Sequence, residues 1–218
     1  MLFRSLEQHD LTAQIFDTVR VLLEDHTLLL KAGTIVDATI IAAPSSTKNA
    51  TQTRDPAMKQ TRKGTQWYFG MKVHVGTDTR GLVHSLTTTD AATADITQVG
   101  DLLHGHESTL YGDKAYWKES DRQQWTADGG TYRINRRGKR TPYRDAINRT
   151  RSKIRARCEH VFHVVKTLWG FTTVRYRGLA KNTARVLTTF ALANLYLLRH
   201  KLPRQGTSCR RERRRRGG

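Results

Sequence analysis

The stretch GTIVDATIIAA, residues 33 to 43, constrains this chain more than any other segment. β-Branched residues crowd it. Such side chains lose rotamer freedom in a helix and pack well on a pleated surface, so the run reads as a buried strand. An aspartate, Asp37, stands at its middle. A carboxylate in an apolar strand loses hydration and needs a hydrogen-bond donor, a cation or a metal to offset that loss. Asp37 is therefore either a satisfied structural group or a metal ligand held rigid by a sheet.

Neighbouring segments supply the rest of a sheet. QWYFGMKVHVGTD (66–78) and LVHSLTTTD (82–90) are strand-like and separated by Thr79, Arg80 and Gly81, the pattern of a hairpin. STLYGDKAY holds a short strand that breaks at Gly112, a residue expected to free the backbone to turn. Asp113 is thereby left at the carboxyl end of a strand, the edge at which open α/β sheets bind ligands. TYRIN (131–135) is a further brief strand. The segment PSSTKNATQTRDPAMKQTRKG (44–64) is too polar to form core and reads as a loop. Trp67, Tyr68 and Phe69 are expected to pack in the core in preference to stacking on bases.

Helical spacing marks residues 5–31, 94–105, about 117–127, Asp145 to Trp169, and 181–200. The order strand, strand, strand, helix, strand, helix, strand, helix predicts a mixed α/β domain. On this reading residues 1–31 are a helical lead-in, 32–202 the main domain, and 203–218 an arginine-rich tail with nothing to bury, expected to be disordered.

Lys and Arg outnumber Asp and Glu by 38 to 19, a formal charge of +19 that favours a polyanionic partner. Nucleic acid is the first candidate and an anionic membrane surface the second. No membrane span is expected, because the most apolar window, VLTTFALANLYLL (186–198), is shorter than a bilayer crossing. The start lacks the apolar core of a secretory signal, and Cys158 and Cys209 are too few for a disulfide-stapled fold, so a soluble cytoplasmic protein is expected.

A third carboxylate lies on the helix predicted after Asp145. Arg155, Glu159, His163 and Lys166 stand at i, i+4, i+8 and i+11 and line one stripe. Such a stripe is either a solvated face with an Arg–Glu pair or a metal-binding glutamate with cations beside it to grip phosphate. Mg²⁺ takes oxygen ligands and keeps several waters, so two or three carboxylates can hold it. A pair of such ions about 4 Å apart can activate a hydroxyl and stabilise a leaving oxygen in phosphodiester chemistry. Zinc is disfavoured, because Cys158, His160 and His163 lack a fourth ligand. Arg133, Arg136, Arg137, Lys139, Arg140 and Arg144 form a basic run suited to phosphate contacts that position DNA without reading it.

The blocks GTIVDATIIAAPSSTKN, QWYFGMKVHVG, LVHS, DITQ, LLHG and YGDKAY, in that order, resemble the bacterial insertion-sequence transposases of the insertion sequence 5 family, over about residues 5 to 202. The resemblance implies a ribonuclease H-like core, a mixed β-sheet flanked by helices. It also implies an Asp-Asp-Glu triad of Asp37, Asp113 and Glu159 that binds Mg²⁺, with Mn²⁺ as a substitute. The implied partners are terminal inverted repeats and target DNA, the implied setting is the nucleoid, and a homodimer on DNA is left open. Arg155 and Lys166 match the family's Arg four before and Lys seven after the glutamate. Two positions depart: Ser152 stands where a Tyr is usual, and Lys114 where a small residue is usual. Family members carry a further N-terminal DNA-binding region, so the chain reads as the catalytic portion alone. Three readings stay open on sequence: an active transposase, a truncated DNA-binding remnant or inhibitor of full-length copies, and another nuclease on the same core.

Overall fold

The computed structural model describes residues 10–48, 52–136 and 141–201. Its centre is a six-stranded sheet. Strand β1 (Gly33–Ala42) pairs antiparallel with β3 (Gln66–Asp78), in a register that sets Asp37 opposite Val75. The outer edge of β3 is shared end to end: β2 (Lys59–Lys63) lies along its first residues and β4 (Val83–Asp90) along the rest. An ion pair of 3.1 Å between Lys59 and Asp90 joins the two. On the far side of β1, β5 (Thr109–Gly112) and β6 (Thr131–Ile134) follow in parallel.

Alternation along β1 assigns its side chains to two faces. Ile35 and Ile41, with Met71, Val73 and Val75 of β3, belong to the larger core, whereas Val36 joins Leu102, Leu110, Tyr116, Tyr132 and Ile134 on the opposite face. The larger core is roofed by three elements: helix α5 (Cys158–His163), the π-helical turn Val164–Leu168, and α6 (Leu179–Leu198), which contribute Val161, Val165 and Phe190. Helix α1 (Leu11–Asp25) packs on α6 and places Phe16 in the same core. The remaining helices are the single turn α2 (Val99–Leu102), α3 (Glu119–Ala127) and α4 (Pro142–Arg155). This mixed sheet with helices on both faces is the α/β, ribonuclease H-like arrangement expected. No helix among the described residues is long and apolar enough to cross a membrane.

One register detail creates the site. β5 pairs with β1 only from Gly33 to Ile35 and then ends, so among the described residues no strand lies beside residues 37–40 on the edge of β1 opposite β3. Pairing on that side resumes only at Ala42, whose N–H donates to the Thr172 carbonyl and whose carbonyl accepts from Val174. Gly112 closes β5 in extended fashion. It carries no positive φ, and its service is space: a Cβ there would lie 3.2 Å from Val36 Cγ2 and 3.3 Å from Tyr116 Cβ.

Four local expectations are corrected. Residues 59–63, read as loop, form a strand, because an edge strand needs only backbone pairing and its side chains stay largely exposed. Met58 just before it is buried. Residues 94–105 are not one helix but a 3₁₀ turn, Asp95–Gln98, followed by α2. The helix expected over Asp145–Trp169 breaks at Ala156 and Arg157, where bonds tighten to the i−3 pattern (Arg157 to Ile154, Glu159 to Ala156, His160 to Arg157), and it widens to π geometry from Val164. The hairpin turn docks at that break: Arg157 Nη1 donates to the Thr79 carbonyl at 2.6 Å, and Gly81, at φ 90°, lies so close that a Cβ would sit 2.3 Å from the Arg157 carbonyl oxygen. Finally, Trp67 is 64% exposed, and Tyr68 and Phe69 are half-buried. Trp67 therefore does not pack in the core; it lies opposite Arg62 of the largely exposed edge strand β2.

Candidate active site

A cleft of about 520 Å³ opens where β1 loses its neighbour, and the β1 residues Asp37 to Ile40 line it consecutively. Asp113 enters from the end of β5. Arg155, Glu159 and Phe162 close one side, Lys72, Asp95 and Tyr116 the other, and Thr61, Arg62 and Lys63 of β2 stand at one end. The three carboxylates expected from sequence thus share one cavity.

Each is held differently. Asp37 is 17% exposed, its Oδ1 accepts from the Ala38 N–H at 2.9 Å, and its Oδ2 lies 3.4 Å from Arg155 Nη1. Burial pushes its carboxyl up to about 6 although Arg155 pulls the other way, and the negative charges of Asp113 and Glu159 push it further up. Asp113 caps the 3₁₀ turn Lys114–Tyr116, its Oδ1 accepting from the Ala115 N–H at 2.7 Å. Glu159, in the first turn of α5, is 60% exposed and lies 3.6 Å from Arg155 Nη2. Arg155 therefore stands as counter-charge between Asp37 and Glu159.

Among the described residues, no three His, Cys, Asp or Glu side chains gather closely enough to enclose a metal ion. The carboxylates that line the cleft nevertheless offer oxygen ligands, and burial makes the Asp37 charge costly, a cost that further positive charge would lower. That chemistry suits a hard, hydrated divalent cation held by few protein ligands. Cys158 is buried while His160 and His163 are exposed, which separates the residues considered for zinc.

Lys166 reaches the same edge of β1 from the π turn. Its Nζ donates to Thr39 Oγ1 at 3.0 Å and to the Ile40 carbonyl at 2.9 Å. Burial and the nearby Lys63 lower its pKa, so two lysines converge on this end of the cleft. Of the basic run, Arg133 and Arg136 are exposed on and beyond β6, Arg136 over the Trp117 ring at 5.3 Å, and neither lines the cleft. Arg144 is half-buried near the start of α4, and Arg137, Lys139 and Arg140 lie outside the described residues. Ser152 accepts from Asn135 Nδ2 at 3.1 Å, tying α4 to the end of β6, and Lys114 is exposed.

Sequence reasoning missed Lys72, Asp95 and Tyr116. Lys72 Nζ donates to the Thr93 carbonyl at 2.7 Å and lies 2.9 Å from Asp95 Oδ1. The available signal was Lys72 itself, a cation set between the apolar Met71 and Val73 of β3. With this geometry in place, one comparison bears on the chain: a family model described as a transposase DDE domain matches residues 29–195, a span that includes all six strands and all three carboxylates.

Proposed function

Since the chain belongs to the family of transposase DDE domains, we propose that it cuts DNA at the ends of an insertion sequence and joins the freed 3′-hydroxyl to target DNA, with Asp37, Asp113 and Glu159 as its catalytic carboxylates. The ordered sequence blocks favour the insertion sequence 5 branch and, with it, action on chromosomal DNA in the cytoplasm. The observation that carries the reading is the meeting of Asp37, Asp113 and Glu159 in one cleft beside Arg155.

Asp37 and Asp113 would hold Mg²⁺ or Mn²⁺, and Glu159 would join them as Arg155 turns from the carboxylates to a DNA phosphate. A bound divalent ion would supply Lewis acidity and a more acidic attacking hydroxyl. In the first step a water oxygen bonds to phosphorus, the bond from phosphorus to the 3′-oxygen breaks, and that oxygen leaves as a hydroxyl with a proton. In the second, the new 3′-hydroxyl gives up its proton as its oxygen bonds to a target phosphorus, and the target's own 3′-oxygen leaves and takes up a proton. One phosphodiester replaces another, so no energy-rich cofactor is needed. Arg155 would counter the charge on the reacting phosphate. Lys63 and Lys166 would hold the strand at the end of the cleft, while Arg133 and Arg136 would steady flanking duplex, a contribution that salt screens.

The test is cleavage and joining of labelled DNA bearing the element's own terminal repeats, with Mg²⁺ or Mn²⁺, by the protein and by Asp37→Asn, Asp113→Asn and Glu159→Gln. Loss in all three variants is expected, by about 10³-fold or more if positioned charge supplies several kcal/mol of the barrier reduction. Cleavage that survives in each variant at the original rate overturns the assignment.

A further inference from the structure

A groove of about 280 Å³ opens just past the far end of β1, after that strand has left the catalytic cleft. Ala43, Pro44 and Val174 give it an apolar floor, and three arginines, Arg54, Arg175 and Arg177, line it. Like charges gathered in one place repel, so the fold alone gains nothing by collecting them. An anion that enters the groove would turn that cost into binding.

The chain holds two of these heads in place. Arg54 Nε donates to the Ser45 carbonyl at 2.9 Å, and its guanidinium stands 5.6 Å from the centre of the Phe69 ring. Arg177 Nη2 donates to Thr53 Oγ1 at 2.9 Å and to the Arg54 carbonyl at 3.3 Å. Neutral acceptors of this kind orient a guanidinium without cancelling its charge. Asp55, the acid of the lining, turns Oδ2 to the Gly178 N–H at 2.7 Å and Oδ1 to the Ala57 N–H at 3.0 Å. Arg175 is exposed, and after burial its charge is the next cause that lowers the pKa of the neighbouring Arg185. Residues of the chain itself therefore feel a positive field here.

Position favours nucleic acid over a membrane. Lys63 and Lys166 stand at the end of the cleft, Lys166 on the Ile40 carbonyl, and Ala43 lies three residues farther along, about 10 Å in an extended strand. DNA advances about 3.4 Å per nucleotide along its axis, so the groove stands about three nucleotide steps from those lysines. A recess rimmed by guanidiniums suits their forked contact with phosphate oxygens. A lipid surface is broad and would meet a protruding patch in preference to a recess.

We infer that the groove lined by Arg54, Arg175 and Arg177 is a further DNA contact, which holds backbone phosphates of the strand that leaves the catalytic cleft past Lys63 and Lys166. The inference rests on the transposase reading above and extends the path of its DNA. Such contacts position a strand without reading its sequence.

The experiment measures binding of the full chain to a duplex of about 30 base pairs between about 50 and 200 mM salt. Chelator is present throughout, so metal held by the carboxylates takes no part and a failure of the catalytic assignment shows only in the cleavage assay. Wild type is compared with Arg175→Ala, Arg175→Glu and, for the loss of one positive charge elsewhere, Lys31→Ala. Lys31 precedes the opposite end of β1 and pairs with Glu24 at 2.9 Å. R175A should bind about 3- to 10-fold more weakly at the lower salt, with the dependence of log affinity on log salt reduced by about 1. R175E should bind more weakly still, and K31A should stay within about twofold of wild type. R175A and R175E within twofold of wild type, with the salt slope unchanged, overturn the inference, as does an equal loss in K31A, which would assign the effect to net charge. Sedimentation with phosphatidylserine vesicles supplies the rival partner: a loss confined to vesicles in R175E overturns the DNA assignment. A melting temperature of R175A well below that of wild type would give Arg175 a structural role and overturn it too. No duplex binding by wild type overturns this inference and the transposase reading together.

Discussion

Lys166 offers the sharpest quantitative test of how the cleft is built, because it clasps the unpaired edge of β1 in the absence of any ligand. Its Nζ donates to Thr39 Oγ1 and to the Ile40 carbonyl, at 3.0 and 2.9 Å. Lys166→Met keeps the aliphatic stem and removes both bonds. Hydrogen bonds from a charged donor are worth about 1.5–3 kcal/mol each when sheltered. Lys166 is only half-buried, so water competes for the freed carbonyl, and loss of the repulsion from Lys63 offsets part of the damage. The net destabilisation should be about 1–2 kcal/mol, a fall in melting temperature of roughly 2–8 °C for a domain of this size. Thr39→Val isolates one of the two bonds, and the double mutant should show a coupling of about 0.5–1.5 kcal/mol, as expected for side chains in direct contact. Urea denaturation of the four proteins without DNA measures all of this. A destabilisation below about 0.3 kcal/mol for K166M, or no coupling beyond the error of additivity, would refute the clasp and leave Lys166 as a phosphate contact alone.

Acid should weaken the fold. His74 and His84 are both pushed down to about 4, chiefly by burial, so both are neutral in the folded protein near pH 7. The unfolded chain begins to bind protons near 6.5, so their contribution is complete above that pH and is lost as pH falls towards 4. Asp37, pushed up to about 6, acts with the opposite sign over the same window: its contribution is present at low pH and is lost as pH rises through 6. Two histidines against one aspartate leave a net loss on the order of 3 kcal/mol between pH 7 and 4. Melts across that range should fall, His84→Gln should flatten the slope, and a rise on acidification would contradict the burial argument. Asn194→Leu addresses the other sheet edge. The buried Asn194 side chain accepts from the Val83 N–H at 2.9 Å and donates to the Val83 carbonyl at 2.7 Å, so the variant strands both groups and should destabilise by about 2–5 kcal/mol in urea. A loss under about 1 kcal/mol would mean that water replaces the amide.

Particular residues show how far local chemistry reached. The β-branching of residues 34–41 was enough to place β1, and Gly81 between two alternating runs was enough to place the β3–β4 hairpin. Asp37 stood out because a charge in an apolar strand is costly wherever that strand lies. Glu159 was found with Arg155 because their i, i+4 spacing survives the break in the helix. Lys59–Lys63 could not be read as a strand, since its side chains carry no apolar alternation and its pairing is all backbone. Trp67 was misplaced because its exposure depends on the tertiary pairing that sets it beside an edge strand. Asn194 sits in an apolar helix, and only the fold shows that its side chain completes the bonding of β4.

Sequence alone therefore determined the kinds of the longer elements and the identity of the acidic candidates, because branching, periodicity and the cost of a buried charge are local properties. Tertiary structure decided that these groups share a cavity. That outcome follows from where β5 ends: its pairing with β1 stops at Ile35, and the bare edge beyond it admits Arg155 and Glu159 from one face and Lys72, Asp95 and Tyr116 from the other. No local preference records the length of a neighbouring strand, so the cleft itself exists only in the folded chain.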